Sequence, residues 1–156
     1  MKNIYFPDEN ISENDLYFVC YMIERVSRRI HQRNSYTVNK IKKNGLSRQL
    51  SLANILHCEN PIKVEADWID EYGLENGNFD ITDVDPELAG NIPKETQIGK
   101  VYKRAIAATM SSEEDYADAI LRVYNDPLCK IIDNYNSSAF YEPSYVIARA
   151  FHTGAF

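Results

Sequence analysis

Apolar positions recur at steps of three and four from Ser12 to Arg33, where Leu16, Val19, Ile23, Val26 and Ile30 mark one face of an α-helix of about six turns. Phe18, Tyr21 and Met22 widen that face towards its N-terminal half, which predicts deeper burial there. Ser12 with Asp15 three residues on forms a capping-box start, since a hydroxyl and a carboxylate can satisfy the free N–H groups. Arg25, Arg28, Arg29 and Arg33 collect at the far end, where the helix dipole favours cations.

The pattern continues in shorter pieces. Asn34-Ser35 makes a break; Tyr36, Val38 and Ile41 then predict a short helix closed by Asn44-Gly45. Leu46, Leu50, Ala53 and Leu56 predict another that ends near His57. Asn60-Pro61 opens the next, with Asn as N-cap and Pro where no N–H is missed, and Gly73 stops it. From Leu74 to Gln97 the periodicity dissolves into turn residues, prolines and acids. Helical spacing resumes at Ile98, Val101, Tyr102, Ala105, Ile106 and Met110. Ser111 with Glu114 predicts a new start leading to Tyr116, Ala119, Ile120, Val123 and Tyr124, and Asp126-Pro127 opens a further helix with Leu128, Ile131, Ile132 and Tyr135. Residues 143–151 read as a terminal helix ended by Gly154, with an isolated strand over 145–151 as the alternative. The expected fold is a mainly α, single-domain helical bundle of about seven helices. Its halves, 12–73 and 98–156, are joined by a long acidic loop, 74–97.

Composition then narrows the class. The chain has 156 residues, 44% hydrophobic and 26% charged, enough for one globular core. No apolar run approaches the roughly 20 residues that cross a bilayer, and the N-terminus lacks an apolar signal segment, so a cytoplasmic location without membrane contact is expected. Cys20, Cys58 and Cys129 are odd in number and lie far apart, which argues against a disulfide framework.

Charge is strongly segregated. From Arg25 to Cys58 there are eight Lys or Arg and no acid; from Val64 to Pro93 there are nine Asp or Glu and no base. The basic stretch makes a DNA-binding reading testable, with Arg28, Arg29, Lys40, Lys42 and Lys43 as phosphate contacts. The net charge of −6 opposes a polyanion at long range. Neighbouring His57 and Cys58 point roughly 100° apart on a helix and have no companion ligands, so neither a nucleophilic dyad nor a zinc site is expected. Asp80, Asp83, Asp85 and Glu87 lack the glycine and glutamate positions of a calcium loop and read as a solvated acidic surface. No cofactor and no metal are implied.

Residues 133–145 place Asp133, Asn136 and Ser137 beside Tyr135, Tyr141 and Tyr145, the composition of a protein-recognition surface. The same residues can instead terminate a helix and tuck their rings inside. A third reading, a small enzyme site, would need Asp133, Ser137, Tyr141 and His152 to converge.

Residues 16–73, with LYFVCYMIE, VNKIKKNGLSRQL and HCENPIKVEADWIDEYG, resemble a short helical bacterial domain of unknown function. Its features fall here on Glu24, Gly45, His57 and Asp67 to Tyr72. Members of that family are commonly encoded beside small ADP-ribosyltransferase-like proteins in toxin–antitoxin-type arrangements. The resemblance implies a protein partner, with the chain as antitoxin or accessory protein, and supplies no catalytic residue. Residues 98–156 are additional to it. The expected contacts are therefore the acidic loop (Asp80, Asp83, Asp85, Glu87) and the 133–145 surface.

Overall fold

The computed structural model describes residues 1–156. Seven α-helices and no strand build it: α1 Glu13–Ile30, α2 Asn34–Leu56, α3 Pro61–Tyr72, α4 Glu95–Thr109, α5 Tyr116–Tyr124, α6 Leu128–Ile132 and α7 Ser144–Thr153. A single 3₁₀ turn, Ala139–Tyr141, precedes α7. The mainly α bundle expected from periodicity is what forms.

Helix starts and stops follow local chemistry in most places. The Ser12 hydroxyl accepts from the Asp15 N–H, and the Asp15 carboxylate accepts from the Ser12 N–H at 2.8 Å, closing the capping box of α1. Asn60 Oδ1 accepts from the Ile62 N–H at 3.0 Å, Pro61 stands first in α3, and Gly73 ends that helix at φ +60°. The terminal segment is helical rather than a strand, and Gly154 at φ +86° closes it.

Several boundaries depart from the sequence reading: Asn34-Ser35, read as a break, are the first residues of α2, and α6 ends at Ile132, short of Tyr135. The expected break at Asn44-Gly45 falls instead at Lys42 (φ 67°, ψ 172°), so α2 is two helical pieces joined by a kink. Gly45 sits buried inside the second piece. A Cβ there would lie 2.6 Å from Ile41 Cγ2 and 2.8 Å from Tyr72 Cε1, so glycine permits α3 to approach rather than ending a helix. Likewise α5 begins after Asp115, whose carboxylate accepts from the Asp118 N–H at 2.8 Å, not at Ser111. The Glu114 carboxylate, expected in a capping box, is instead held by the Arg122 guanidinium through two contacts of 2.8 Å.

Helix α1 is central, packing on α2, α3 and α4, while α5 packs on α2 and α4, and α7 on α4. One hydrophobic cluster of 32 buried residues draws on both halves, from Leu16 and Trp68 to Ile120 and Ile147. At the α1–α4 crossing, a Cβ on Gly99 would lie 3.0 Å from the Tyr21 backbone, so the close approach of the halves depends on that glycine.

The acidic segment between α3 and α4, residues 74–94, is tied down. Its Gly77 and Phe79 N–H groups donate to the Ile30 and His31 carbonyls at the end of α1. Asp80 closes a turn on Thr82, Leu74, Ile81 and Ala89 are buried, and the Asp85 N–H donates to Asn136 Oδ1 at 2.8 Å. No helix of the protein is long and apolar enough to cross a membrane.

Candidate functional site

Where α1, α2, α4 and α6 meet, the apolar core encloses two carboxylates. Glu24 is 1% exposed and Asp133 is 8% exposed. The Asn34 side-chain amide, fully buried at the start of α2, donates to both: 3.1 Å to Glu24 Oε1 and 3.1 Å to Asp133 Oδ2. Its NH₂ end must face the two acceptors, which leaves Asn34 Oδ1 buried without a donor. Such an atom costs about 1–3 kcal/mol, offset here by the two bonds that the amide donates to the carboxyl groups.

Each carboxylate has further donors. Arg28 Nε and the Tyr135 hydroxyl both donate to Glu24 Oε2 at 2.8 Å. The same guanidinium reaches Glu95 Oε1 and the Pro93 carbonyl at 2.8 Å, so Arg28 clamps α1 to the start of α4. Asp133 Oδ1 accepts from the Tyr102 hydroxyl at 2.5 Å, and Oδ2 accepts from the Cys129 thiol at 3.3 Å. Burial, then the nearby Glu24 charge, pushes the Asp133 carboxyl up to about 7, against the downward pull of its Tyr102, Cys129 and Asn34 donors. Burial and the Asp133 charge likewise hold the Tyr102 hydroxyl well above its ordinary range.

Asp133 also touches the surface. It lines two depressions of about 250 Å³ each, and Arg33 and Lys130 border both. The Arg33 guanidinium lies 4.1 Å from the centre of the Phe79 ring, fixing one edge of the acidic loop.

The 133–145 surface expected from sequence is divided by the fold. Asp133 and Tyr135 face inward as members of the buried acid centre, and Tyr135 is 1% exposed. Its ring packs edge-on against Phe140 at 5.4 Å, which is why it cannot serve as a surface anchor. Asn136 holds the acidic loop, and the Ser137 hydroxyl donates to the Ile131 and Asn134 carbonyls at 2.9 and 2.7 Å. Tyr141 and Tyr145 do stand outward, 62% and 71% exposed. In the loop, Asp80, Asp83, Asp85 and Glu87 are all exposed. None of these four, nor Glu75, takes part in an ion pair.

The basic stretch is largely consumed internally. Arg25 pairs with Glu65 at 2.7 Å, Arg28 with Glu24 and Glu95, and Arg29 reaches the Ile62 carbonyl at 3.3 Å and Glu65 at 4.0 Å. Lys43 pairs with Asp118 and Asp115 on α5. Of the five proposed phosphate contacts, Lys40 and Lys42 alone keep exposed side chains without an ion pair. The proposed catalytic set does not assemble either. Asp133 lines the depressions beside the acid centre, Tyr141 lines a groove against α4, and none of the five principal cavities contains two of Asp133, Ser137, Tyr141 and His152.

His57 Nε2 lies 3.6 Å from Cys58 Sγ on an exposed turn, with His57 Nδ1 3.2 Å from the Ala53 carbonyl. His57 also borders the roomiest cleft, about 500 Å³, beside Tyr17, Phe18 and Tyr21. All three cysteines are free, with Cys20 and Cys129 buried. No group of three or more His, Cys, Asp or Glu side chains is placed to hold a metal ion.

Sequence reasoning missed Glu24, Asn34, Tyr102 and Cys129 as a unit. A signal was present: Glu24 stands four residues after Cys20 and three before Ser27, within the apolar stripe of α1, where an acid must find buried donors. No protein-family model matches the chain, and neither a curated protein nor a solved structure matches it.

Proposed function

We propose that this chain is a protein–protein interaction module that presents the acidic 74–94 loop to a basic face of a partner. One observation carries the reading. Glu24, Glu65 and Glu95 on the helices and Glu114 just before α5 are matched by cations, while the five acids from Glu75 to Glu87 form no ion pair. Charges at an interface steer encounter and fix orientation, and a field of one sign on a surface loop serves that purpose. The backbone ties of the loop to α1 and to Asn136 reduce the ordering cost of binding. Leu88 and Ile92 add apolar contact, being 62% and 45% exposed among the acids. A toxin-like enzyme is the partner that the resemblance of residues 16–73 implies, and a basic cleft on such a partner would suit this loop.

Replacing Asp80, Asp83 and Asp85 by Asn and Glu87 by Gln tests the reading, because Asn preserves the side-chain turns that Asp80 and Asp85 make. A partner that co-purifies with the wild-type chain from its host is expected to be absent with the variant, and its capture by the wild type to weaken as salt is raised. Undiminished capture by a correctly folded variant would reject the loop as the contact.

A further inference from the structure

A second groove, of the opposite sign, lies between α4 and the start of α7. Its volume is about 290 Å³, enough for one large side chain and the backbone beside it. The floor is apolar: Phe140, Ala105 and Ile147 are 4%, 1% and 2% exposed. Tyr141 forms part of the rim, its ring tilted on Phe140 at 4.4 Å and mostly open to solvent. Lys100 and Arg104, one turn apart on α4, line the groove; both are exposed.

In a chain of net charge −6, neither cation has an ion-pair partner, although Glu142 borders the same groove. An Arg, a Tyr and a buried aromatic floor around one small pocket is the composition on which binding energy concentrates at protein interfaces. We propose that this groove docks a short acidic segment of a partner protein, which inserts one aromatic or large aliphatic side chain over Phe140 and pairs its carboxylates with Lys100 and Arg104. Charge complementarity selects this occupant. Two cations neutralise too few phosphates to hold a nucleic acid, and the net negative charge of the chain repels an extended polyanion or an anionic membrane. A flanking carboxylate on a short peptide acts within the screening length, where Lys100 and Arg104 dominate. The groove is separate from the 74–94 loop, so the two surfaces can fail independently.

Random peptides displayed on phage, panned against the full-length chain, supply the probe, with K100E/R104E as the counter-target. Both replacements lie on the exposed face of α4, and an unchanged thermal melt verifies the fold. Enriched peptides are expected to be net acidic around one aromatic or large aliphatic residue, to bind K100E/R104E at least about tenfold more weakly, and to shift amide resonances of 97–105 and 140–147. Absence of enrichment, enrichment with no acidic bias, or equal binding to the variant overturns the proposal. So does short single-stranded DNA, an anionic vesicle or a second copy of the chain occupying the groove in a manner that requires Lys100 and Arg104.

Discussion

The arginines of α1 and the acids of the 74–94 loop are two like-charged groups of the chain, and the fold treats them in opposite ways. Arg25 and Arg28 lie half-buried among Glu24, Glu65 and Glu95, tying α1 to α3 and α4. The loop acids are exposed and form no ion pair, although Arg33 and Lys130 border the depression that Asp80 and Asp83 line, and only their backbone and a few apolar side chains engage the core. A charge block in the sequence is therefore one pattern with two uses. An internal charge must be paired because desolvation is costly, whereas an external one is free to be read by another molecule.

Removing an internal charge is the strongest way to break this contrast. Glu24→Ala leaves the Arg28 guanidinium, the Tyr135 hydroxyl and the Asn34 amide without their common acceptor, and is expected to cost about 3–5 kcal/mol in urea denaturation. A loss under about 1 kcal/mol would mean that the acid centre does not hold the helices together.

Acidity probes the same centre without a cavity. Asp133 stays protonated in the fold up to about pH 7, against about 3.9 for an unfolded aspartate. Between these values the native state holds the extra proton, so this contribution is complete below the unfolded pKa and is lost as pH rises through about 7. From pH 5 to 8 the wild type is expected to lose on the order of 2 kcal/mol relative to Asp133→Asn, whose side chain carries no ionisable proton there. Parallel stability curves for the two proteins across that range would refute the assignment.

An uncharged control separates packing from electrostatics. Gly45→Ala presses a methyl group against Ile41 and Tyr72 and is expected to cost about 1–3 kcal/mol, with no change in pH dependence. The smallest effect on stability belongs to the loop. Neutralising Asp80, Asp83, Asp85 and Glu87 is expected to shift the unfolding free energy by no more than about 0.5 kcal/mol per site, while abolishing partner capture. A large destabilisation would place those acids among the structural charges and erase the distinction between the two groups.

Much of the fold was legible because its signals are local. Ser12, Asn60, Pro61, Gly73 and Gly154 each act within one helical turn, and the structure uses each as the residue chemistry suggests. Misreadings arose where distant contacts decide. Gly45 looks like a helix end until Tyr72 is known to press on it, and Glu114 looks like a capping residue until Arg122 takes it. Tyr135 and Tyr141 share a composition and a neighbourhood, yet one is sealed and the other open. What separates them is the position of Glu24, more than a hundred residues away, which periodicity near the tyrosines cannot reveal. The Lys100–Arg104 groove was invisible for the same reason, since its second wall comes from residues 140–147.

The acid centre also sets an order of events as the chain is made. Glu24 and Tyr135 are 111 positions apart, and Asn34 and Asp133 are 99 apart. A nascent chain that has reached the end of α3 holds Arg28 and Asn34 beside Glu24 but lacks the α4 cover for the α1 stripe and the Tyr135 hydroxyl, the third donor to Glu24. The network can close only after the last quarter emerges, and contacts of such long sequence separation are expected to slow folding relative to a bundle of neighbouring hairpins.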